Sequence, residues 1–173
     1  MKRINIIGAP GSGKTTLSLK LSDIYGLPVV HMDAIGFNDK YDSMNKKPEF
    51  QAKIDRESKK DKWIMEGVYK ATLASRVPRS DLTIFLDYPR RIYVYRVFKR
   101  RIQYHNKQRP EMNDDWKEHI NWPFLKYVWS FQKKQNHAIK NILADYKNQD
   151  IKTFKKPREL DEYLNSLTEK RSN

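Results

Sequence analysis

Short apolar runs alternate with amphipathic segments along most of the chain. Five of these runs have the length and composition of buried β-strands, and they cover Arg3 to Ile7, Leu27 to Asp33, Trp63 to Glu66, Leu82 to Asp87 and Asp150 to Phe154. The segments between them carry apolar residues at helical spacing. Strands that alternate with helices predict a doubly wound α/β fold around a parallel sheet.

Helical spacing is clearest in five segments: the residues from Gly13 to Gly26, Pro48 to Lys60, Arg90 to Ile102, a long stretch from Pro123, and a last stretch from Pro157. In the second of these, Phe50 and Ile54 are predicted to face inward. In the third, the pattern favours an inward face formed by Ile92, Tyr95, Phe98 and Ile102, and Arg96 and Arg100 share another face because they are four residues apart.

A glycine-rich turn joins the first strand to the first helix. It matches the pattern G-x-x-x-x-G-K-[ST] at every fixed position, with Gly8, Ala9, Pro10, Gly11, Ser12, Gly13, Lys14 and Thr15. Glycines allow the backbone to curl so that its N–H groups point at phosphate oxygens, and the following helix adds its positive dipole end. The turn, together with Thr16 after it, is therefore predicted to bind the phosphates of ATP.

Two side chains of this turn carry the chemistry. Lys14 can reach the outer phosphates of a bound nucleotide, and the Thr15 hydroxyl can ligate Mg²⁺. The alternative, a glycine-rich turn with a chance lysine, is disfavoured because the motif lies between a strand and a helix, as this kind of site requires.

The charge balance indicates anionic partners. The 173 residues include 35 Lys and Arg against 21 Asp and Glu, a net charge of +14, and Arg90 to Arg109 contains basic residues and no acidic one. Nucleotide phosphates, a phosphorylated substrate and nucleic acid all fit this excess. The chain has no cysteine and no apolar run of membrane-spanning length, which predicts a cytoplasmic protein without disulfides.

Carboxylates end three of the predicted strands. Ligands bind beyond the carboxyl ends of parallel strands, so Asp33 is placed to meet a substrate, although it also fits the role of a turn-forming residue that caps the next segment. Glu66 is followed at once by a glycine, and Asp87 ends an apolar run in the form of a Walker B motif. Both are candidates for the carboxylate that serves Mg²⁺.

Two regions lack a clear pattern. Gln103 to Trp122 has no apolar periodicity and contains one arginine, Arg109; a long irregular excursion of this kind predicts a functional lid at about residues 100–122. In the polar region 34–62, Tyr41 and Met44, together with Phe50, either shape a substrate pocket or only pack.

Taken together, these motifs resemble the adenylate kinase-like P-loop kinases, and most closely the bacterial DNA topology modulation proteins. The resemblance covers nearly the whole chain and rests on Gly8 to Thr15, His31 to Asp33, Trp63 to Tyr69, Leu82 to Pro89 with its arginine helix, Arg109 to Met112 and Phe154 to Glu159. It implies a P-loop NTPase three-layer sandwich with a five-stranded parallel sheet in the order 2-3-1-4-5 and a small helical lid.

The same resemblance implies roles for individual residues. Glu66-Gly67 looks like the Asp-Gly step that holds Mg²⁺ in adenylate kinases, which favours Glu66 over Asp87 and leaves Asp87 to cap or orient. Arg96 and Arg100 fall on the two arginine positions that reach ATP. The segment that includes Lys156 and Pro157 looks like the one that frames the adenine ring, and Asp33 resembles the acceptor-binding Asp of shikimate kinase-like enzymes.

The sequence therefore predicts a single domain, residues 1–173, that transfers a phosphoryl group from ATP·Mg²⁺ to a small-molecule acceptor such as a nucleotide, a nucleoside or another small metabolite. The nucleoside monophosphate-binding segment of adenylate kinases is not recognisable in residues 34–62, so the acceptor and the oligomeric state stay open. Two alternatives stay open as well: a nucleic-acid-binding ATPase, as the topology modulation label suggests, and a nucleotide-binding regulator without catalysis.

Overall fold

The computed structural model describes residues 1–36, 48–103 and 122–172. Its centre is one sheet of parallel strands, and the strand order β2-β3-β1-β4-β5 confirms the predicted topology. The strands are β1 (Arg3–Gly8), β2 (Val29–His31), β3 (Trp63–Glu66), β4 (Leu82–Leu86) and β5 (Ile151–Phe154). The first strand therefore lies in the middle of the sheet, and its carboxyl end leads directly into the glycine-rich turn.

Helices connect and flank these strands. They are α1 (Lys14–Tyr25), α2 (Met32–Gly36), α3 (Pro48–Ser58), α4 (Leu73–Arg76), α5 (Arg90–Gln103), α6 (Trp122–Phe131), α7 (His137–Ala144) and α8 (Pro157–Ser172). One π-helical turn, Gln132–Asn136, joins α6 to α7, so the long helix predicted from Pro123 is a single rod with a widened turn in its middle. No helix in the described ranges is long and apolar enough to cross a bilayer.

Apolar side chains cover both faces of the sheet, which confirms the three-layer arrangement. On one face, Leu17 and Leu21 of α1 and Leu160 and Leu164 of α8 pack on the strands. On the other face the packing residues come from α5, α6 and α7, and they include Tyr93, Val97, Phe131 and Ile139. The strands are buried from both sides, as parallel strands with helical crossovers usually are.

The second strand is shorter than the sequence pattern suggested. The run Leu27 to Asp33 was expected to be one strand, but β2 ends at His31 and Met32 begins α2. Met32 is fully buried in a small cluster with Phe50, Ile54 and Tyr69, and this packing turns the chain away from the sheet. Asp33 therefore lies in the first turn of a short helix rather than at a strand end, while the inward positions of Phe50 and Ile54 are confirmed.

The predicted inward face of α5 is confirmed only at Ile92, which is partly buried against the core cluster that contains Leu17. Tyr95, Phe98 and Ile102 are 65, 49 and 79% exposed, and the buried residues of this helix are Tyr93 and Val97. The glycine-rich turn explains the difference, because a Cβ at Gly11 would lie 2.6 Å from the Tyr93 carbonyl oxygen. The helix packs its Tyr93 side directly on that turn, and its more apolar stripe is left on the outside.

Several sequence-based expectations lie outside the described residues. These are the central part of the lid with Arg109, and the pocket candidates Tyr41 and Met44. The two ends of the lid region are described, and they belong to α5 and α6.

Candidate functional site

The glycine-rich turn is curled in the way that phosphate binding requires. Gly11 and Gly13 have φ angles of 78° and 95°, in the left-handed region that favours glycine. The Ser12 N–H donates to the Ala9 carbonyl at 3.1 Å, and the Gly13 carbonyl accepts the first hydrogen bond of α1, from the Leu17 N–H. The remaining amides of the turn stand at the positive end of α1, where anions are stabilised.

Two buried polar side chains belong to this turn. Lys14 is 9% exposed, and its ammonium group donates to the Ala9 carbonyl at 3.2 Å, folded back over the turn. The Ser12 hydroxyl is buried and has no hydrogen-bond partner within the described residues. A buried polar atom without a partner is costly, and phosphate oxygens would supply acceptors for both groups. The turn therefore fits the phosphates of a nucleoside triphosphate.

Glu66 lies beside the turn at the end of β3. Its carboxylate accepts a hydrogen bond from the Thr15 hydroxyl at 3.2 Å and lies 2.9 Å from Nδ1 of His31. Burial would raise the pKa of Glu66, but the His31 contact, the charge of Lys14 and the Thr15 hydrogen bond outweigh it and hold the pKa below the ordinary value. Glu66 is therefore an ionised carboxylate, 3% exposed, in contact with the motif threonine.

The donor set formed by Thr15 and Glu66 fits Mg²⁺, which prefers hard oxygen ligands. Within residues 1–36, 48–103 and 122–172, no group of three or more His, Cys, Asp or Glu side chains is arranged so that it could hold a metal ion. Mg²⁺ in nucleotide sites is held by one or two protein oxygens together with phosphates and water, so a larger protein cluster is not required.

Asp87, the other carboxylate candidate, has different surroundings. It is 8% exposed, and its two oxygens are engaged by the Asn136 amide and by the Lys140 ammonium group, the latter at 2.6 Å. Asn136 belongs to the π-helical turn and Lys140 to α7. The contacts of Asp87 therefore join the end of β4 to the long helical rod.

The first arginine of the predicted pair touches the turn. Nη1 of Arg96 donates to the Ser12 carbonyl at 3.0 Å, and the guanidinium carbon lies 5.8 Å from the centre of the Tyr88 ring. Arg100 follows one helical turn later and is half-buried like Arg96. The same rotation of α5 that buries Tyr93 and Val97 brings the Arg96 side of the helix to the glycine-rich turn.

Asp33 is paired with an aromatic residue. The Tyr69 hydroxyl donates to Oδ1 of Asp33 at 2.8 Å, and the Tyr69 ring packs 4.7 Å from that of Phe50. Burial and the neighbouring Asp33 charge raise the pKa of Tyr69, so its hydroxyl remains a donor. Asp33 and Glu66 stand on neighbouring segments, because β2 pairs with β3 and His31 lies opposite Glu66.

Lys156 and Pro157 lie in the turn after β5. Glu159 accepts hydrogen bonds from the N–H groups of Lys155 and Lys156 at 2.8 and 3.2 Å, and Pro157 is the first residue of α8. The turn follows the carboxyl end of the edge strand β5. Because all strands are parallel, it lies at the same end of the sheet as the glycine-rich turn.

Sequence reasoning missed the roles of three residues. His31 and Tyr69 lie within quoted motifs, three residues or fewer from a candidate carboxylate, but nothing in the sequence shows that they contact Glu66 and Asp33. Arg76 is fully buried and donates to the carbonyls of Gly67 and Tyr69. No local signal marks it, because a basic residue at the end of a short helix is usually exposed.

Solved structures share this fold. The chain is similar to a shikimate kinase from Aquifex aeolicus, with 19% identity, a TM-score of 0.52 and 98% of each chain covered. It is also similar to a deoxyadenosine kinase from M. mycoides, solved with dCTP, with 15% identity, a TM-score of 0.53 and 96% of this chain and 99% of that one covered. No protein-family model and no curated protein sequence matches the chain. The architecture is thus the α/β fold of P-loop nucleoside triphosphatases, in the form that these kinases have.

Proposed function

We propose that the protein is an ATP- and Mg²⁺-dependent phosphotransferase that acts on a small-molecule acceptor. The observation that carries this proposal is the contact between Thr15 of the glycine-rich turn and the buried, ionised Glu66. A phosphate-binding turn alone is common to many nucleotide-binding proteins, whereas a carboxylate beside its threonine is the arrangement that a metal-assisted phosphoryl transfer needs.

On the donor side, the backbone of Gly8 to Thr16 would cradle the phosphates. Lys14, Arg96 and Arg100 would neutralise the charge that spreads over the transferring phosphoryl oxygens. Thr15 and Glu66 would hold Mg²⁺, and the bound ion would supply positive charge that stabilises the phosphates during transfer. The adenine would lie near the turn that contains Lys156 and Pro157.

On the acceptor side, Asp33 would bind the group that receives the phosphate. If that group is a hydroxyl, Asp33 takes its proton while the new P–O bond forms and the bond to ADP breaks. If it is a phosphate or a carboxylate, no base is needed and Asp33 only binds. We propose further that residues 1–173 form a single cytoplasmic domain and that the basic region at about residues 100–122 serves as its lid.

A screen for ADP release tests the proposal. The full chain is incubated with ATP, Mg²⁺ and each of a panel of nucleosides, nucleotides and small sugars. We expect at least one acceptor to stimulate ADP formation, and we expect the activity to disappear with chelator and with Lys14→Ala. Lys20→Ala, an exposed lysine of α1, is the matched control and should behave like the unmodified protein. Absence of both ATP binding and acceptor-stimulated ADP release would contradict the proposal.

A second candidate function is a nucleic-acid-binding ATPase like the DNA topology modulation proteins that the sequence resembles. It is favoured by the outward stripe of α5, where Tyr95 and Phe98 are exposed between the exposed basic residues Arg91 and Lys99. Aromatic rings among positive charges suit stacking on bases and contact with phosphates. The salt dependence and sequence preference of DNA binding separate this candidate from the kinase.

A further inference from the structure

The guanidinium group of Arg76 is fully buried behind the candidate site. Within the described residues, its hydrogen bonds end on neutral oxygens: Nε donates to the Thr72 hydroxyl, Nη1 to the Asn5 side-chain oxygen, and Nη2 to the carbonyls of Gly67 and Tyr69. Nη1 lies 2.6 Å from the Asn5 side-chain oxygen, and Nη2 lies 2.9 Å from the Gly67 carbonyl oxygen. One planar group therefore holds both ends of the three-residue segment that follows Glu66.

The same group is tied to the centre of the sheet. Asn5 lies on β1, in register with Met65 of β3 and Thr83 of β4, and its amide donates to the Thr83 hydroxyl at 3.4 Å. The Thr83 hydroxyl in turn lies 2.9 Å from that of Ser80. Arg76 therefore connects the segment after Glu66 to the two strands that carry the phosphate-binding turn and Asp87.

A buried position that needed only a side chain of suitable volume would not favour an arginine. Burial lowers the pKa of Arg76 to about 9, against the opposing attraction of Glu66. Buried charges without an ionic contact cost free energy that an apolar side chain of similar volume would not. An apolar side chain has no hydrogen-bond donors. The guanidinium group has several donors in a rigid fork, and the fork holds several acceptors in a single geometry.

The segment that Arg76 holds separates the two halves of the proposed reaction. Glu66 at one end contacts Thr15, and Tyr69 at the other end donates to Asp33. Gly67 between them packs tightly on α2, because a Cβ there would lie 3.0 Å from the Met32 Cβ. A small shift of this segment would therefore change the distance between the metal side and the acceptor side.

We infer that Arg76 is a positioning residue: its fork on the carbonyls of Gly67 and Tyr69 sets the separation between Glu66 on the ATP side and the Tyr69–Asp33 pair on the acceptor side. The inference rests on the proposed function for its consequence in catalysis. Its structural part, that the Arg76 fork orders residues 66–72, stands without it.

Hydrogen exchange and kinetics test the inference with Arg76→Lys, which keeps the charge but not the fork. Arg79→Lys is the matched control, since Arg79 is also multiply bonded, to Asp55, Ser58 and Ser75, but lies away from the site. We expect amide exchange in residues 66–72 to rise about tenfold relative to β1 and β4 in Arg76→Lys only. With the acceptor found by the ADP screen, kcat should fall about tenfold while the Kd for ATP·Mg²⁺ changes less than about twofold.

If Arg76→Lys does not fold, Thr72→Val replaces it in the exchange experiment. It removes the Nε acceptor and the Thr72 hydroxyl bond to the Tyr69 carbonyl, and exchange should again rise selectively in 66–72. Exchange in 66–72 that rises no more than in the Arg79→Lys control would overturn the inference, and so would equal kcat losses in the two variants. Failure of the proposed function would look different: the unmodified protein would release no ADP with any acceptor, while the exchange result would still decide the structural part.

Discussion

The hydroxyl of Thr15 and the carboxylate of Glu66 lie 3.2 Å apart, although 51 residues separate them in the chain. The contact forms because β1 and β3 are neighbouring parallel strands, with Ile6 opposite Glu66. The contact places Glu66, the buried carboxylate at the end of β3, against the first turn of α1.

Lys14→Ala should weaken ATP·Mg²⁺ binding about tenfold or more and abolish acceptor-dependent turnover. The ammonium group is buried beside the amides of the turn, and no other lysine is part of that turn. A lost hydrogen bond between charged groups is worth about 1.5–3 kcal/mol. Calorimetric titration with ATP·Mg²⁺ measures the effect, with Lys20→Ala as the control. Unchanged affinity together with unchanged turnover would refute the nucleotide site.

Glu66→Gln and Asp87→Asn should separate metal binding from stability. Glu66→Gln should lower Mg²⁺-dependent turnover about tenfold to a hundredfold, because the carboxylate beside Thr15 loses its charge. Asp87→Asn should mainly lower the free energy of unfolding, by about 1–3 kcal/mol, because Lys140 loses its charged partner and the hydrogen bond from the Asn136 amide no longer ends on a charged acceptor. Turnover at varied Mg²⁺ and chemical denaturation of both variants check the ranking; the reverse order in turnover would assign the metal to Asp87.

Arg100→Ala should lower turnover by orders of magnitude and change the free energy of unfolding by less than about 1 kcal/mol. Arginines that stabilise the transition state of phosphoryl transfer are worth roughly 10³-fold or more in rate, whereas most substitutions outside the core change stability little. Arg96→Ala should act in the same direction, because Arg96 already contacts the Ser12 carbonyl.

Arg91→Ala is the control for both arginine variants. Arg91 lies on the same helix and is exposed, so neither turnover nor melting temperature should change much. Equal turnover losses in Arg100→Ala and Arg91→Ala would mean that the basic stretch is a general anion-binding surface rather than part of the phosphoryl-transfer site.

Any affinity for DNA should be electrostatic and without sequence preference. The chain has a net charge of +14, and phosphate contacts release counterions, so binding should fall steeply between about 50 and about 200 mM salt. Fluorescence anisotropy with two unrelated sequences at both salt concentrations measures this. A sequence-specific complex that survives the higher salt would reverse the order of the two candidate functions.

Asp81 should stabilise the fold at neutral pH and lose that effect in acid. Partial burial raises its pKa, but the N–H groups of Lys2 and Arg3 donate to its carboxylate and bring the pKa below the ordinary value. A depressed carboxyl pKa contributes stability above the unfolded pKa of about 3.9, and the contribution disappears as the pH falls through the folded pKa. Asp81→Asn should therefore melt below the unmodified protein at neutral pH, and the difference should shrink at about pH 3. A gap that is equally large in acid would contradict this assignment.

The sequence by itself determined the architecture and the glycine-rich turn. Buried strands of a parallel sheet are continuous apolar runs, and the glycine-rich motif specifies its own backbone, so both are local properties that a pattern can reveal. The strand order followed from the resemblance to P-loop kinases. Even the residues that form the inward side of α3 were predictable, because Phe50 and Ile54 stand four apart on an otherwise polar helix.

Only the tertiary structure decided how the candidate side chains are distributed around that turn. β3 and β4 both flank β1, so sequence patterns could not distinguish Glu66 from Asp87 by position. The structure distinguishes them, because Thr15 contacts Glu66 whereas Lys140 contacts Asp87. The burial of Tyr93 instead of Tyr95 depends on the close approach of α5 to Gly11. Arg76 is fully buried, and one of its acceptors, the Asn5 side chain on β1, lies 71 residues away in the chain. Each of these outcomes depends on contacts between residues far apart in the chain, and periodicity carries no information about such contacts.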